Sequence, residues 1–294
     1  MYKSCSPLCI RALPTLPPLG ALLSIAMLAG TLSLGQSAYA VPLTWNTCEG
    51  GSNSVCNIEL TGPDLALPES TRTSSGTGVN QVLTFDAIEN STKDLLVRAF
   101  KTSTNVGTGS VRTREINIFE GGLGAGPEDS PEHGIDNVGP DEFIVFKLPE
   151  NGYIPLSFMI GYMNTDADIS TWIGGVQGGP SDALSLLLSP TTPFQWNQTG
   201  GALTSTWGYV QQNFLNVPVG VSRLFSGASG GYLIIGARNE SDGNSDTGAD
   251  KFKLLQITAQ KPAKVPEPAT LILLGTGLVG IVLFGRRRQR RGLS

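Results

Sequence analysis

One histidine, His133, in a chain of 294 residues removes most of the chemistry that imidazole supports. A Ser-His-Asp triad would have a single candidate base, and no Gly-x-Ser-x-Gly elbow accompanies it. His133 falls in Pro127-Glu128-Asp129-Ser130-Pro131-Glu132-His133-Gly134, a polar stretch that reads as an exposed loop. Cysteine is also sparse, at 4, and the two beyond the first forty residues, Cys48 and Cys56, eight residues apart with one distant histidine, do not make a four-ligand zinc site. Charged residues reach only 15% and aromatics 7%. Heptads and internal repeats are missing, which excludes a coiled coil or a solenoid. What is plentiful is glycine, at 37, and proline, at 19. That balance favours a turn-rich all-β domain.

Long apolar runs occur at the two ends. Lys3 and Arg11 precede an apolar run from Leu19 to Leu34, and Ala38-Tyr39-Ala40 follows it. Small residues at −3 and −1 fit a signal peptidase, so residues 1–40 read as a signal peptide cut after Ala40, with an uncleaved membrane anchor as the alternative. The other end reads Val265-Pro266-Glu267-Pro268-Ala269, an apolar stretch, then Arg286-Arg287-Arg288-Gln289-Arg290-Arg291. Residues 269–285 would form a transmembrane helix of roughly 25 Å, near the lower limit for spanning. The arginines behind it should stay cytoplasmic, which places the preceding domain across the inner membrane.

The order Pro266-Glu267-Pro268, short apolar helix, arginine cluster resembles the PEP-CTERM sorting signal over about Val265 to Arg291. The resemblance implies an exosortase-type membrane enzyme that cuts near Pro266-Glu267-Pro268. It further implies a mature protein at the cell surface or outside the cell, associated with extracellular polysaccharide. A permanent single-pass anchor is the plainer alternative. Residues 261–265 form a linker and 266–291 the sorting signal, leaving 41–260 as the ectodomain.

Cys5 and Cys9 leave with the signal peptide, so Cys48 and Cys56 remain, and an even count in an exported protein argues for one disulfide. Removing Lys3, Arg11, the five tail arginines and Glu267 from 20 basic and 24 acidic residues leaves 13 and 23, about −10 overall. A domain of that charge without a basic patch is no partner for nucleic acid.

Strand-like runs recur between turn residues: Gln81 to Ile88, Leu95 to Thr102, Glu115 to Glu120, Glu142 to Leu148 and Ile154 to Tyr162. Further runs are Ile169 to Ile173, Ala183 to Leu188, Thr204 to Val210, Tyr232 to Arg238 and Phe252 to Thr258. Alternation in several of them predicts half-buried strands, with no helix of convincing length before the tail. Ten or so short strands suggest a single jelly-roll-like β-sandwich.

Asp141, Asp166 and Asp168 stand at expected strand ends, and in Asp166-Ala167-Asp168 alternate residues project to one side of an extended backbone. Hard oxygen ligands of this kind suit calcium; equally, aspartates cap turns without any ion. Asp242 and Asp246, in Asp242-Gly243-Asn244-Ser245-Asp246, have calcium-loop density without EF-hand order, and a long polar hairpin loop is the competing reading. The segments around Asn137, Gly139, Asp141, Glu142 and Phe143, then Gly161, Tyr162, Asp166 and Asp168, resemble ectodomains called exosortase-dependent surface proteins. That resemblance supports a fold and brings no activity. Trp172, Trp196, Trp207 and Tyr209 fall in Gly- and Thr-rich surroundings where aromatic faces stack on sugar rings, although tryptophans in such domains are mostly core. The functional expectation is a structural or adhesive surface protein, with a carbohydrate-binding module as the alternative. A glycan hydrolase built on a pair such as Glu142 and Asp166 ranks behind both, and no catalytic residue is assigned.

Overall fold

Alternation decides which residues become strands, and the computed structural model shows where each face goes. It describes residues 41–48, 55–58, 65–68, 71–75, 78–102, 108–109, 111–119, 121–126, 134–164, 166–188, 194–195, 202–238, 249–262, 274–275 and 277–281. Residues 39–262 make up one compact unit; outside it, the described residues 274–275 and 277–281 are helical. The expected cleavage residues Ala38 and Ala40, the Pro266-Glu267-Pro268 motif, Asp242, Asp246, Trp196 and His133 all lie outside the described residues. Most of the expected span 269–285 does too. Among the described residues no helix is long and apolar enough to cross a membrane.

In chain order the strands begin with β1 (Leu43–Asn46), β2 (Val55–Ile58), β3 (Leu65–Pro68), β4 (Arg72–Ser75), β5 (Val82–Ala87) and β6 (Asn90–Thr102). They continue with β7 (Thr108–Gly109), β8 (Val111–Arg114), β9 (Ile116–Phe119), β10 (Gly122–Ala125), β11 (Ile135–Asp136) and β12 (Glu142–Lys147). The last are β13 (Ile154–Met163), β14 (Ile169–Gly174), β15 (Phe194–Gln195), β16 (Val210–Phe214), β17 (Arg223–Leu224), β18 (Tyr232–Ala237) and β19 (Lys251–Gln260). Two short helices, α1 (Ala183–Leu188) and α2 (Ala202–Ser205), stand among them. The smaller of two main antiparallel sheets runs β17-β13-β19-β10-β9, with β1 and β11 also on β19. The larger runs β16-β14-β18-β12-β6-β5-β4, with β8 also on β6. The chain is therefore all-β, as its composition predicts.

A core between the sheets takes Trp45, Phe158 and Ile257 from the smaller sheet and Phe85, Val97, Ile144, Phe146 and Ile235 from the larger. A second core lies on the other face of the larger sheet, where Phe100, Phe143, Val145, Trp172, Tyr232 and Ile234 meet Ala183 and Leu187 of α1 and Leu203 of α2. The two sets alternate along the chain: in β12, Ile144 and Phe146 face one core while Phe143 and Val145 face the other. Strands buried on both faces become continuous apolar runs, and β14 and β18 are buried at every position.

The helices correct two strand expectations. Ala183 to Leu188 is a helix because Asp182 caps it: the Ser185 N–H donates to Asp182 Oδ1 at 3.0 Å and the Leu186 N–H to the Asp182 carbonyl at 3.0 Å, as an N-cap does. Burial pushes the Asp182 carboxyl up, but hydrogen bonds from Tyr232, Gly178 and Ser185 together hold it below its ordinary value. Tyr232 Oη donates to Asp182 Oδ2 at 2.6 Å, so the cap is tied to the sheet that the helix covers. Thr204 to Val210 likewise opens as the end of α2, turns at Gly208 with φ at 70°, and becomes a strand only from Val210. Cys48 is buried and disulfide-bonded, while Cys56 stands in β2 with its side chain outside the described residues.

Candidate functional site

The β13–β19 pairing, with Met163 opposite Phe252, carries the residues that follow β13 to those that precede β19. Isolated bridges then join Asp166 to Asn164 and to Asp250. Asp166, Asp168 and Asp250 each bring a carboxylate oxygen within 4.8 Å of the others, with Asp168 and Asp250 buried and Asp166 half-buried. Asp166 and Asp168 are thus brought together as their spacing predicts. Asp141 is buried and is not one of this group of three; its backbone N–H donates to Thr102 Oγ1 at 3.0 Å.

Each carboxylate also serves the backbone around it. Asp250 Oδ1 accepts from the Asp168 N–H at 2.8 Å, and Asp250 Oδ2 accepts from Asn137 Nδ2 at 2.9 Å. The Asp250 N–H in turn donates to Asn137 Oδ1 at 3.0 Å, and Asn137 Nδ2 donates to the Arg238 carbonyl at 2.7 Å. Asp168 Oδ1 accepts from the Asn216 N–H at 2.7 Å. Asn216 holds a positive φ of 48°, a conformation Asn tolerates better than most residues. Asp166 Oδ1 accepts from its neighbour, the Ala167 N–H, at 2.7 Å. Arg238 Nη1 stands 3.9 Å from Asp168 Oδ2. The cluster therefore fastens the ends of β14, β18 and β19 and the loop before β12.

Three carboxylates gathered this closely, with Arg238 near Asp168, make a group of hard anionic oxygens of the kind a cation meets. An ionised carboxylate has about four lone-pair sites, so an oxygen that accepts one N–H retains capacity for an ion. Calcium takes roughly 6–8 oxygens, and water or carbonyl groups would supply those that three aspartates do not. The chemistry of the donor set fits calcium. The Arg238 charge would compete with it.

Glu142 is a different kind of carboxyl. Burial first, then the nearby Asp136 charge, push it up to about 8, although Arg114 and Lys101 pull the other way. Arg114 Nε donates to Glu142 Oε1 at 2.8 Å.

The aromatic candidates divide. Trp172 and Tyr209 are buried in the second core, so the expectation of sugar stacking at Trp172 is corrected: its ring is spent on α1 and α2. Trp207 is half-buried and packs against the same core. Tyr162 is exposed and its ring already faces the Lys253 ammonium at 4.8 Å, which also lies 4.4 Å from the Phe119 ring.

Asp250 is the member of the cluster that sequence reasoning missed. Its signal was its place as the last acidic residue before Lys251, at the start of a strand, but only long-range register carries it to Asp166.

Residues 264–289 match the PEP-CTERM protein-sorting motif. The match implies export, with processing by an exosortase-type membrane enzyme. No curated protein and no solved structure matches the chain.

Proposed function

We propose that this chain is a surface protein whose jelly-roll-like β-domain is delivered to the cell surface or the extracellular matrix by an exosortase, for a structural or adhesive role with extracellular polysaccharide. The observation that carries the reading is the sorting motif at 264–289, which begins directly beyond a β-domain that ends at residue 262. In this reading residues 1–40 are removed after Ala40, residues 269–285 hold the precursor in the inner membrane, and Cys48 pairs with Cys56. The alternative is a carbohydrate-binding module. A hydrolase ranks behind both, because Glu142, one of the carboxylates it would need, is engaged with Arg114.

Glu267→Gln is expected to leave a full-length tail on the protein and to hold it in the membrane fraction. Mass measurement of the protein from cells with and without the sorting enzyme checks this. The unaltered protein should begin at Val41 and end near the motif, and identical masses for the two forms would remove the sorting reading.

Calcium is the second part of the proposal, favoured by the carboxylate separation in the Asp166, Asp168 and Asp250 cluster. Calcium at about 100 times its dissociation constant would stabilise the folded chain by about 2.7 kcal/mol. Asp166→Asn is the discriminating variant, since of the three it makes the most local backbone bond. The full chain is expected to gain several degrees in melting temperature with calcium, and the variant to gain none. No heat of binding and no thermal shift in the unaltered chain would sink the calcium reading while leaving the sorting one intact.

A further inference from the structure

The two main sheets run out at β4, β16, β9 and β17, and a strand at such an edge offers unpaired N–H and C=O groups to any extended chain. Charge guards three of them. β4 holds Arg72, β17 holds Arg223, and β9 lies between Glu115 and Glu120. β16 holds Val210, Gln211, Gln212, Asn213 and Phe214, with neither a charge nor a proline. Nor does it bulge, since its register with β14 is unbroken from Ile173 opposite Val210 to Ile169 opposite Phe214. Among the described residues β14 is the only strand that pairs with it. The lack of charge extends beyond the strand: residues 183–222 include no acidic or basic residue, in an ectodomain with 13 basic and 23 acidic ones. Phe214 packs inward, its ring 5.0 Å from Phe158 and 6.0 Å from Phe225. Val210 and Leu215, at the two ends of the strand, are 44% and 53% exposed, and Leu224 of β17 is 74% exposed. Arg223 Nη2 donates to the Asn216 carbonyl at 3.4 Å, which brings Leu224 to the side of the domain that carries Leu215.

We propose that β16 pairs edge to edge with the β16 of a second copy of this chain, antiparallel about a two-fold axis, so that two larger sheets become one. A two-fold contact presents the same patch twice and must be self-complementary. The edge of a strand meets that condition, and so do carboxamides, each both donor and acceptor; a charged patch does not. With the axis at Gln212, Gln211 stands opposite Asn213 of the second copy, where cross-strand amide pairs add to the backbone ladder. Within the chain, Gln211 Nε2 and Ser170 Oγ already donate to Asn213 Oδ1, at 3.4 and 2.9 Å, which leaves the Asn213 Nδ2 donors open to the partner. Charge depletion is also the compositional mark of an interface core. A domain of about −10 repels its own copy, and β16 with the residues around it brings no charge to the contact. An uncharged glycan would meet the amides as well, but it has no row of N–H and C=O groups to complete the ladder. Five residues of strand, with Leu215 and Leu224 beside them, make a small interface of the weak class below about 1,200 Å². The dimer therefore forms and dissociates with concentration.

The test is sedimentation of the purified full chain in mild detergent, from about 1 μM to about 1 mM, and it is independent of sorting, which is read in cells. The mass is expected to rise from one copy to two across that range. Gln211→Lys and, separately, Leu215→Lys should weaken the dimer at least tenfold with the melting temperature unchanged, since a lysine is the usual guard of an open edge. Each lysine also lowers the net negative charge, so repulsion between whole domains would change in the opposite direction. Thr73→Lys, on the exposed β4 edge, should dimerise like the unaltered chain. A chain that stays monomeric to about 1 mM overturns the proposal, as does equal dimerisation by Gln211→Lys, which would put the contact elsewhere. Equal weakening by Thr73→Lys overturns it too, because the effect would not belong to β16. Association that appears only when an uncharged polysaccharide such as dextran is added makes the edge a glycan site and overturns it as well.

Discussion

Gly122→Ala is expected to lower the melting temperature of the β-domain by roughly 8–16 °C, corresponding to about 4 kcal/mol or more. Gly122 opens β10 with φ at 110°, and a Cβ there would overlap the Leu254 carbonyl oxygen and stand within 2.5 Å of its carbon and 3.0 Å of Leu255 Cα. The obstacle is backbone, so no rotamer change relieves it. Nor does β19 have freedom to retreat, since β13 pairs along one side of it and β1, β10 and β11 along the other. Gly152 supplies the control: its φ is 84° but nothing lies within 4 Å of an added Cβ. Gly152→Ala should therefore cost only the left-handed backbone strain, about 1–2 kcal/mol. Thermal melts of the two variants separate steric overlap from φ preference. If they melt within a degree or two of each other, the close approach of β10 to β19 is not what sets the cost.

The same strand illustrates where the fold was legible. β12, β13 and β18 announce themselves as long β-branched and aromatic runs, because burial on at least one face demands them. β10 is Gly-Leu-Gly-Ala, which reads as a turn, yet it is buried throughout, and at Gly122 the β19 backbone leaves no room for a side chain. β4 is Arg-Thr-Ser-Ser with every residue exposed, so neither alternation nor hydrophobicity marks it. The α1 error has a local cause that the sequence did contain: Asp182 followed by Ser185, with Ala183 and Leu187 one helical turn apart, is a capped amphipathic turn. The apolar composition of Ala183 to Leu188 outweighed that signal. Covering helices also explain Trp172, whose Gly- and Thr-rich neighbours suggest a surface while the connection from β14 to β16 lies over it.

The site divides the same way. Asp166 and Asp168 are two residues apart, and their shared direction is a local property of extended backbone. Asp250 joins them because β13 and β19 pair over nearly their whole length, and Asn137 joins because β11 also pairs β19. Contacts made by register between distant strands leave no periodic trace. Asp141 fails for the opposite reason: it stands at a strand end like the others, but at the β6–β12 junction, with its backbone bonded to Thr102.

Glu142→Gln is expected to change the melting temperature little near pH 4.5 and to raise it by roughly 10 °C at pH 9. The carboxyl of Glu142 lies at about 8 in the folded domain against an ordinary 4.5, with burial the main cause and the Asp136 charge next. A folded value above the unfolded one means that the neutral side chain favours folding. That contribution is complete below about pH 4.5 and is lost as pH rises through about 8, on the order of 3–5 kcal/mol in all. Glutamine stays neutral throughout and still offers Arg114 a carbonyl oxygen, so the variant keeps the hydrogen bond without the desolvated charge. Arg114 is the competing influence, because its Nε lies 2.8 Å from Glu142 Oε1 and an ion pair formed there would hold the carboxyl ionised. The two cases separate by sign. Were the ion pair dominant, removing one buried charge would strand the other, and Glu142→Gln would destabilise at pH 7 by about 3–5 kcal/mol. Arg114 keeps access to water, at 27% side-chain exposure against 6% for Glu142, so its charge is screened and gives the carboxylate less than burial takes away. Melting curves of both proteins from pH 4.5 to 9 decide between them, and a variant less stable at every pH would show that Glu142 is ionised in the native fold.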